Sequence, residues 1–306
     1  MSDEEAAEYL KLMHQRLGHH TLRIIRELYR SGAIFGPEIS DKQFEDVQFF
    51  CRVCHRTRQM RKPSARRARK KPKAALRILE EVYVDLMPLK VRSIRVRGPR
   101  GNRKTGGNTH CVVYVDRKTH RLFLGFVREK TQLVEEVKSA VAHMEMCARD
   151  SVEFNGKDPI KVGKFVSDRE SNLTSNEAVA ALLDKLIMHV MAPMDAKNAT
   201  GLIDNLCRRL RDVSRSLLDM ANVPIHFNEI SLVWAAVIIN MLPVPGHVLH
   251  HSPMRQWEGK PQDFSQMFSW GADVYPHLPV GQREHKSKQD VLAPGGAGRY
   301  RWFGWA

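Results

Sequence analysis

The sequence predicts an α/β domain built on a mixed sheet, preceded by a small helical unit. Three observations carry that expectation. Apolar residues recur at three- to five-residue intervals near the N-terminus; short β-branched runs then follow in hairpin order; beyond them, helix-like and strand-like segments alternate before two long helical patterns. The 306 residues suit about two domains, and a 42% hydrophobic content is enough for a buried core.

In chain order, Leu10, Met13, Leu17, Leu22, Ile25 and Leu28 mark one face of helical segments broken near Gly18. Cys51-Arg-Val-Cys54 follows. From Arg56 to Lys73, 10 of 18 residues are Lys or Arg and two prolines disfavour helix, so the run reads as a linker or extended arm. Glu81-Val-Tyr-Val-Asp85 reads as a buried strand, Arg92 to Gly107 as a long basic hairpin, and Cys111–Asp116 and Arg121–Val127 as two strands joined by a short turn. Thr131–Ala148 has helical spacing, Lys164–Asp168 reads as strand, Glu177–Met188 as helix and His189–Pro193 as strand. Gly201–Met220 and Glu229–Leu242 are the last two strong helices. These readings divide the chain into a helical unit (1–55), a basic linker (56–75), an α/β core (76–245) and an extension (246–306). The Gly-rich, aromatic tail of the extension reads as the truncated start of a further β element.

The net charge of +15 is not evenly spread. Residues 56–104 hold 18 basic and 3 acidic side chains, which is the whole excess. Such a block is a footprint for a polyanion, above all nucleic-acid phosphate; a solvated, disordered linker is the alternative. Candidate DNA contacts are Arg66, Arg67, Arg69, Lys70 and Lys71 in the linker, Arg95, Arg97, Arg100, Arg103 and Lys104 in the hairpin, and Lys197. Contacts of this kind go to phosphate and carry little sequence information. The longest apolar stretch, Leu232 to Pro245, is interrupted by Asn240 and Pro243, so no membrane span is expected. The acidic N-terminus has no apolar core and does not read as a secretory signal. Five cysteines without an export signal point to reduced thiols in the cytosol or nucleus.

His14 and His19 are separated by four residues and Cys51 and Cys54 by two, with 31 residues between the pairs. Zinc prefers a tetrahedron of imidazole and thiolate, and each short pair lets one local turn supply two ligands. Four protein ligands leave no open position, so the metal would be structural and would hold together a unit with few aromatic residues. His20 competes with His19 as the second histidine. The later group His247, His250 and His251 reads as a polar loop.

Asp85 and Asp168 each close an apolar strand, and Asp204 opens a predicted helix, with 35 residues between Asp168 and Asp204. Phosphoryl transfer by two divalent metals needs anionic oxygens converging from different elements. Asp116 also ends a strand, so position at a strand end does not by itself select the set.

These motifs together resemble the copia-type integrases of long-terminal-repeat retrotransposons, over nearly the whole chain. Met13-His-Gln-Arg-Leu-Gly-His19 is similar to the family's His-x-Arg-Leu-Gly-His motif, and Cys51-x-x-Cys54 to its second zinc half. Val84-Asp85-Leu-Met-Pro88 resembles the first catalytic strand, and Val166-Ser-Asp168-Arg-Glu-Ser-Asn-Leu-Thr-Ser175 the second catalytic segment. Tyr114-Val-Asp116-Arg-Lys-Thr-His-Arg-Leu-Phe123 looks like the family's structural hairpin, which makes Asp116 structural. Trp234 to Asn240 and Ser252 to Pro261 resemble the downstream helix and the family's Thr-Pro-x-x-x-Trp-x-Gly-x-x-Pro element.

The resemblance implies a ribonuclease H-like core using Mg²⁺ or Mn²⁺, two ions, to trim element DNA ends and join their 3′-hydroxyls to target DNA. Asp85, Asp168 and Asp204 would be the catalytic metal ligands. It further implies a structural Zn²⁺, a homo-multimer that holds two DNA ends, and action in the nucleus after a cytoplasmic phase in the element particle. Three departures stand out. Asp204 occupies the place of a family glutamate, Asp168-Arg-Glu170 that of Asp-Asn-Gly, and Asp195-Ala-Lys-Asn-Ala-Thr-Gly201 that of a Pro-Gln-Gln-Asn-Gly loop. The alternative is a catalytically degenerate or repurposed zinc-containing DNA-binding protein of the same fold; a nuclease that cuts without joining is a third reading.

Overall fold

The computed structural model describes residues 1–34, 36–57, 77–93, 96–97, 104–105, 107–168, 176–191, 201–243, 251–260, 262, 264, 267, 269–274 and 300–301. The greater part of the basic linker and of the extension lies outside this set.

Four helices open the chain: α1 (Asp3–Arg16), α2 (Leu22–Arg30), α3 (Asp41–Asp46) and α4 (Arg52–Thr57). Ser2 caps α1 by accepting the Glu5 N–H, while the Glu5 carboxylate accepts the Ser2 N–H; Ser40 and Gln43 repeat the arrangement on α3. The expected break at Gly18 is a left-handed turn, with φ of 64° at Gly18 and 62° at His19. Glycine is needed there twice over. A Cβ on Gly18 would strain the backbone and lie 2.8 Å from Val213 Cγ1.

The sheet contains β1 (Glu81–Pro88), β4 (His110–Asp116), β5 (Leu122–Val127), β6 (Lys164–Ser167) and β7 (Met188–Met191), and the intervening β2 (Val96–Arg97) and β3 (Lys104–Thr105) pair separately. Strand order is β5-β4-β1-β6-β7; β1, β4 and β5 are antiparallel, and β6 and β7 add in parallel. This is a ribonuclease H-like mixed sheet. The remaining helices are α5 (Leu133–Cys147), α6 (Asn176–Asp184), α7 (Gly201–Ala221), α8 (Asn228–Met241) and α9 (Pro253–Glu258), and Asp273–Val274 pairs with Tyr300–Arg301.

Both faces of the sheet are covered, which is why its strands read as apolar runs rather than alternating ones. Tyr83, Met87, Cys111, Val113 and Val115 point into one core with α7 and α8, while Val82, Val84, Val112 and Tyr114 point into another with α5. The N-terminal unit belongs to the first core: Leu10, Met13, Leu17 and Ile25 join Val213 and Ile238 in one continuous cluster. The second core takes in Trp257 of α9, whose indole N–H donates to the Cys147 carbonyl at 3.1 Å and whose ring lies under the Arg121 guanidinium. Thus residues well past the last long helix help close the sheet.

Two sequence expectations shift. The helix expected through Met188 ends at Asp184, because the chain turns at Leu186 (φ 59°) and the Ile187 N–H closes on the Leu182 carbonyl, freeing Met188 to begin β7. α9 was not expected as a separate helix, although Ser252 at its N-cap, Pro253 at its start and Gly259 (φ 71°) at its end are ordinary boundary signals.

Candidate functional site

The two halves of the N-terminal motif meet. His14 Nε2 lies 3.3 Å from Cys54 Sγ, His19 Nδ1 lies 3.3 Å from Cys51 Sγ, and the two nitrogens are 3.2 Å apart. Ligands placed tetrahedrally around zinc at ordinary Zn–N and Zn–S lengths stand about 3.3 to 3.8 Å from one another, so the cluster fits that ion. His14 Nδ1 is 2.7 Å from the His20 carbonyl; with the proton there, Nε2 offers its lone pair to the cluster. His20 therefore contributes its backbone oxygen, and His19 supplies the second ring. Among the described residues this tetrad is the one group of three or more potential ligands gathered so closely.

The turn at Gly18 and His19 folds the second imidazole back on α1, and α4 carries Cys54 over the other side. α4 is in turn tied to α7: Arg56 pairs with Asp219 at 2.9 Å, and the Thr57 and Ser216 hydroxyls are 3.0 Å apart. His19 Nε2 faces the Met220 sulfur at 3.2 Å. The tetrad thus sits against the C-terminal half of α7, whose first turn holds Asp204.

Asp85 does not close its strand as the sequence suggests: β1 continues to Pro88 because β4 pairs with it from Val82 to Pro88, whereas Asp168 follows the last residue of β6, one position past the Val84–Ser167 pair. The Asp85 side chain points toward α7, where the Cys207 thiol donates to Asp85 Oδ2 at 3.4 Å. Burial, and then the Asp85 charge, push the Cys207 thiol well up, so it remains a donor. Asp204 stands one helical turn before Cys207 and is exposed. Asp116 does something different. Fully buried, it accepts the Leu79 N–H, the Thr119 N–H and the Thr119 hydroxyl at 2.7–2.9 Å, and so ties the β4–β5 turn to the start of β1.

Of the expected DNA contacts, Arg66, Arg67, Arg69, Lys70, Lys71, Arg95, Arg100, Arg103 and Lys197 lie outside the described residues, as do His247 and His250. Arg97 and Lys104 are register partners in the β2–β3 ribbon, as the basic hairpin implied. The structure adds a basic row the sequence reading passed over: Arg208, Arg211 and Arg215 are exposed on α7 at three- and four-residue spacing, beginning one turn after Asp204. That spacing was visible in the sequence; the overwhelming charge of 56–104 hid it. Cys207 was likewise passed over, because no sequence signal places a helical thiol beside a strand carboxylate.

Fold and site together define an α/β protein with a ribonuclease H-like sheet, Asp85 within β1 and Asp168 just past the adjoining β6, and a His₂Cys₂ cluster packed on the helix that bears Asp204. No protein-family model matches the chain. It is similar to copia-type, retrovirus-related Pol polyproteins of plant transposons. With that of transposon TNT 1-94 from Nicotiana tabacum it shares 26% identity over 209 residues, 68% of this chain and 14% of the relative. With that of transposon RE2 from Arabidopsis thaliana it shares 23% over 283 residues, 90% of this chain and 17% of the relative. The chain thus spans under a fifth of the length of either. Among solved structures, a chain of the simian T-cell lymphotropic virus intasome in complex with the PP2A regulatory subunit B56 gamma aligns with a TM-score of 0.44 at 15% identity, covering 82% of this chain and 73% of that one.

Proposed function

We propose that this chain is a retrotransposon integrase that trims element DNA ends and joins their 3′-hydroxyls to target DNA. The observation that supports the reading is the parallel register of β1 and β6, in which Asp85 and Asp168 each follow the paired residues Val84 and Ser167, with Cys207 of α7 reaching Asp85. Carboxylate oxygens are the donors that hard divalent cations take, and no cation among the described residues pairs with Asp85. Asp85, Asp168 and Asp204 would hold two Mg²⁺ or Mn²⁺ ions. When bound, such ions supply the charge that activates the attacking oxygen and steadies the leaving one. The chain's own part would be to fix Asp85 within β1 and Asp168 just past the end of β6, and to lay the DNA backbone over Arg208 and Arg211. The His₂Cys₂ cluster would hold a structural Zn²⁺, and two DNA ends would call for a homo-multimer acting in the nucleus.

The test is a labelled duplex end incubated with Mg²⁺ or Mn²⁺. Trimmed and joined products are expected from the parent chain and lost in Asp85→Asn and Asp168→Asn, with duplex affinity within about threefold of the parent because phosphate contacts lie elsewhere. Activity retained in both variants would sink the assignment. Binding without any product would leave a DNA-binding protein of the same fold, and cutting without joining would leave a nuclease.

A further inference from the structure

The two edges of the sheet differ. At β5 the outward backbone is closed by α8: the Leu122 N–H donates to Asn240 Oδ1 at 2.8 Å, and the Asn240 amide donates back to the Leu122 carbonyl at 2.9 Å. At β7 no described residue does the same. The Met188 N–H donates to the Gly163 carbonyl, and bonding direction alternates along a strand, so Met188 and Val190 bond inward to β6 while the N–H and C=O of His189 and Met191 point out of the sheet. Edge strands are commonly guarded by charge, proline or a bulge. Met188-His-Val-Met191 has none of these.

Apolar surface gathers at the same edge. Leu183, Leu186, Met188, Val190 and Met191 are five of the eleven large apolar side chains exposed among the described residues, and they share a nine-residue span, so they form a patch rather than a scatter. Leu186 is the clearest case. It takes the left-handed position that ends α6 (φ 59°), where the Ile187 N–H returns to the Leu182 carbonyl and glycine is the unstrained choice, yet its side chain is 90% exposed. A leucine there strains the backbone and gains almost no packing in the single chain. Charge narrows the occupant. Copies of a chain of net +15 repel in most orientations, but residues 176–191 hold only Glu177, Asp184 and Lys185, a net −1. That is a poor surface for a nucleic-acid backbone and a suitable one for a second copy.

We infer that two copies pair β7 against β7 about a twofold axis, joining two five-stranded sheets into one. An axis normal to the sheet requires an antiparallel pair in which one residue faces its own copy. Centring it on Val190 sets His189 opposite the partner's Met191, and the outward groups of both copies then close four N–H···O bonds. Val190 meets the partner's Val190 in the closer, non-hydrogen-bonded kind of pair. Because Asn240 closes β5, the pairing stops at two copies and does not run on into a filament. The inference names a surface for self-association and needs neither DNA nor activity, so it can stand or fall apart from the integrase reading.

The test is sedimentation of the full chain without DNA, over a range of concentration and salt. The parent should pass from monomer to dimer with concentration, and added salt should strengthen the dimer by screening the repulsion between two +15 chains. Val190→Lys and Val190→Glu should each be monomeric alone, since each sets like charges face to face, while an equal mixture of the two should recover the dimer. Leu186→Gly should weaken the dimer about tenfold, the scale of one buried leucine, while the dilute monomer melts no lower than the parent, so the loss is not one of folding. Val190→Cys should cross-link to its copy under mild oxidation. Met188→Cys, two residues off the axis and so about 14 Å from its copy, should cross-link no more than the parent. A parent that stays monomeric throughout overturns the inference, as does a mixture of the charged variants that stays monomeric, or equal cross-linking at positions 188 and 190. If the dimer forms as described while no DNA is cut or joined, this inference stands and only the integrase reading fails.

Discussion

Asp85 has one carboxylate oxygen engaged by the Cys207 thiol, and with Asp85 as the proposed metal ligand that contact predicts a measurable role for Cys207. A group that orients a metal ligand is commonly worth about 10- to 100-fold in metal affinity. Cys207→Ala should therefore raise the Mn²⁺ concentration needed for half-saturation, read by electron paramagnetic resonance, by about tenfold, while Cys207→Ser, which keeps a donor, restores most of it. Unchanged Mn²⁺ binding in the alanine variant would show that the thiol only packs. Glu136 makes a separate prediction. It lies in a cleft of about 510 Å³ beside Gly125, where a Cβ would come within 1.7 Å of its carboxylate, so glycine is what lets the carboxyl lie against β5. Burial pushes its pKa up to about 7. A carboxyl whose folded pKa exceeds the unfolded one adds stability that is full below the unfolded value and lost as pH rises through the folded one. The melting temperature should thus fall more for the parent than for Glu136→Gln between about pH 5 and about pH 8, and identical slopes would contradict it.

Among the elements, α7 joins the most functions: it bears Asp204 and Cys207 at one end, the arginine row along its face, and the docking points for the His₂Cys₂ unit at the other. Because that unit shares its core with α7 and α8, loss of the proposed zinc should be felt beyond the first 57 residues. One zinc per chain is expected by elemental analysis. Its removal by a strong chelator, or Cys51→Ser, should lower the melting temperature of the whole chain in a single transition. An early separate transition with the main one unmoved would mean that the two parts unfold independently. Gly18→Ala should destabilise by roughly 1–3 kcal/mol, since it combines a left-handed backbone with a close approach to Val213. The elements were largely legible in the sequence because each strand is a short apolar run bounded by turn residues, and each long helix has a clear apolar face. The CxxC and paired histidines were legible for the same reason, being local. What was not legible is long-range: the thiol of Cys207 reaching Asp85, Trp257 closing the far face of the sheet, and the choice of the His19 ring over that of His20, which depends on a left-handed turn no periodicity reveals.

Across the whole molecule, the charge excess of residues 56–104 leaves the cluster-bearing unit at one end and enters β1, the strand of Asp85, before passing on to the β2–β3 ribbon. The basic row of α7 faces solvent from the first turn after Asp204. If both sets touch one DNA backbone, their contributions to its salt dependence should be separable, because each neutralised phosphate adds about 0.9 to the slope of log affinity against log salt. Replacing Arg66, Arg67, Arg69, Lys70 and Lys71 together by alanine should flatten that slope by about four, and replacing Arg208, Arg211 and Arg215 by about two to three, with the melting temperature nearly unchanged in both. The losses should be the same for unrelated duplex sequences, since phosphate contacts read none. A slope lowered only by the α7 set would mean that the backbone runs over the core alone and the linker charge serves another polyanion. A slope lowered only by the linker set would detach DNA from the carboxylate edge, and with it the reason for expecting phosphoryl transfer there.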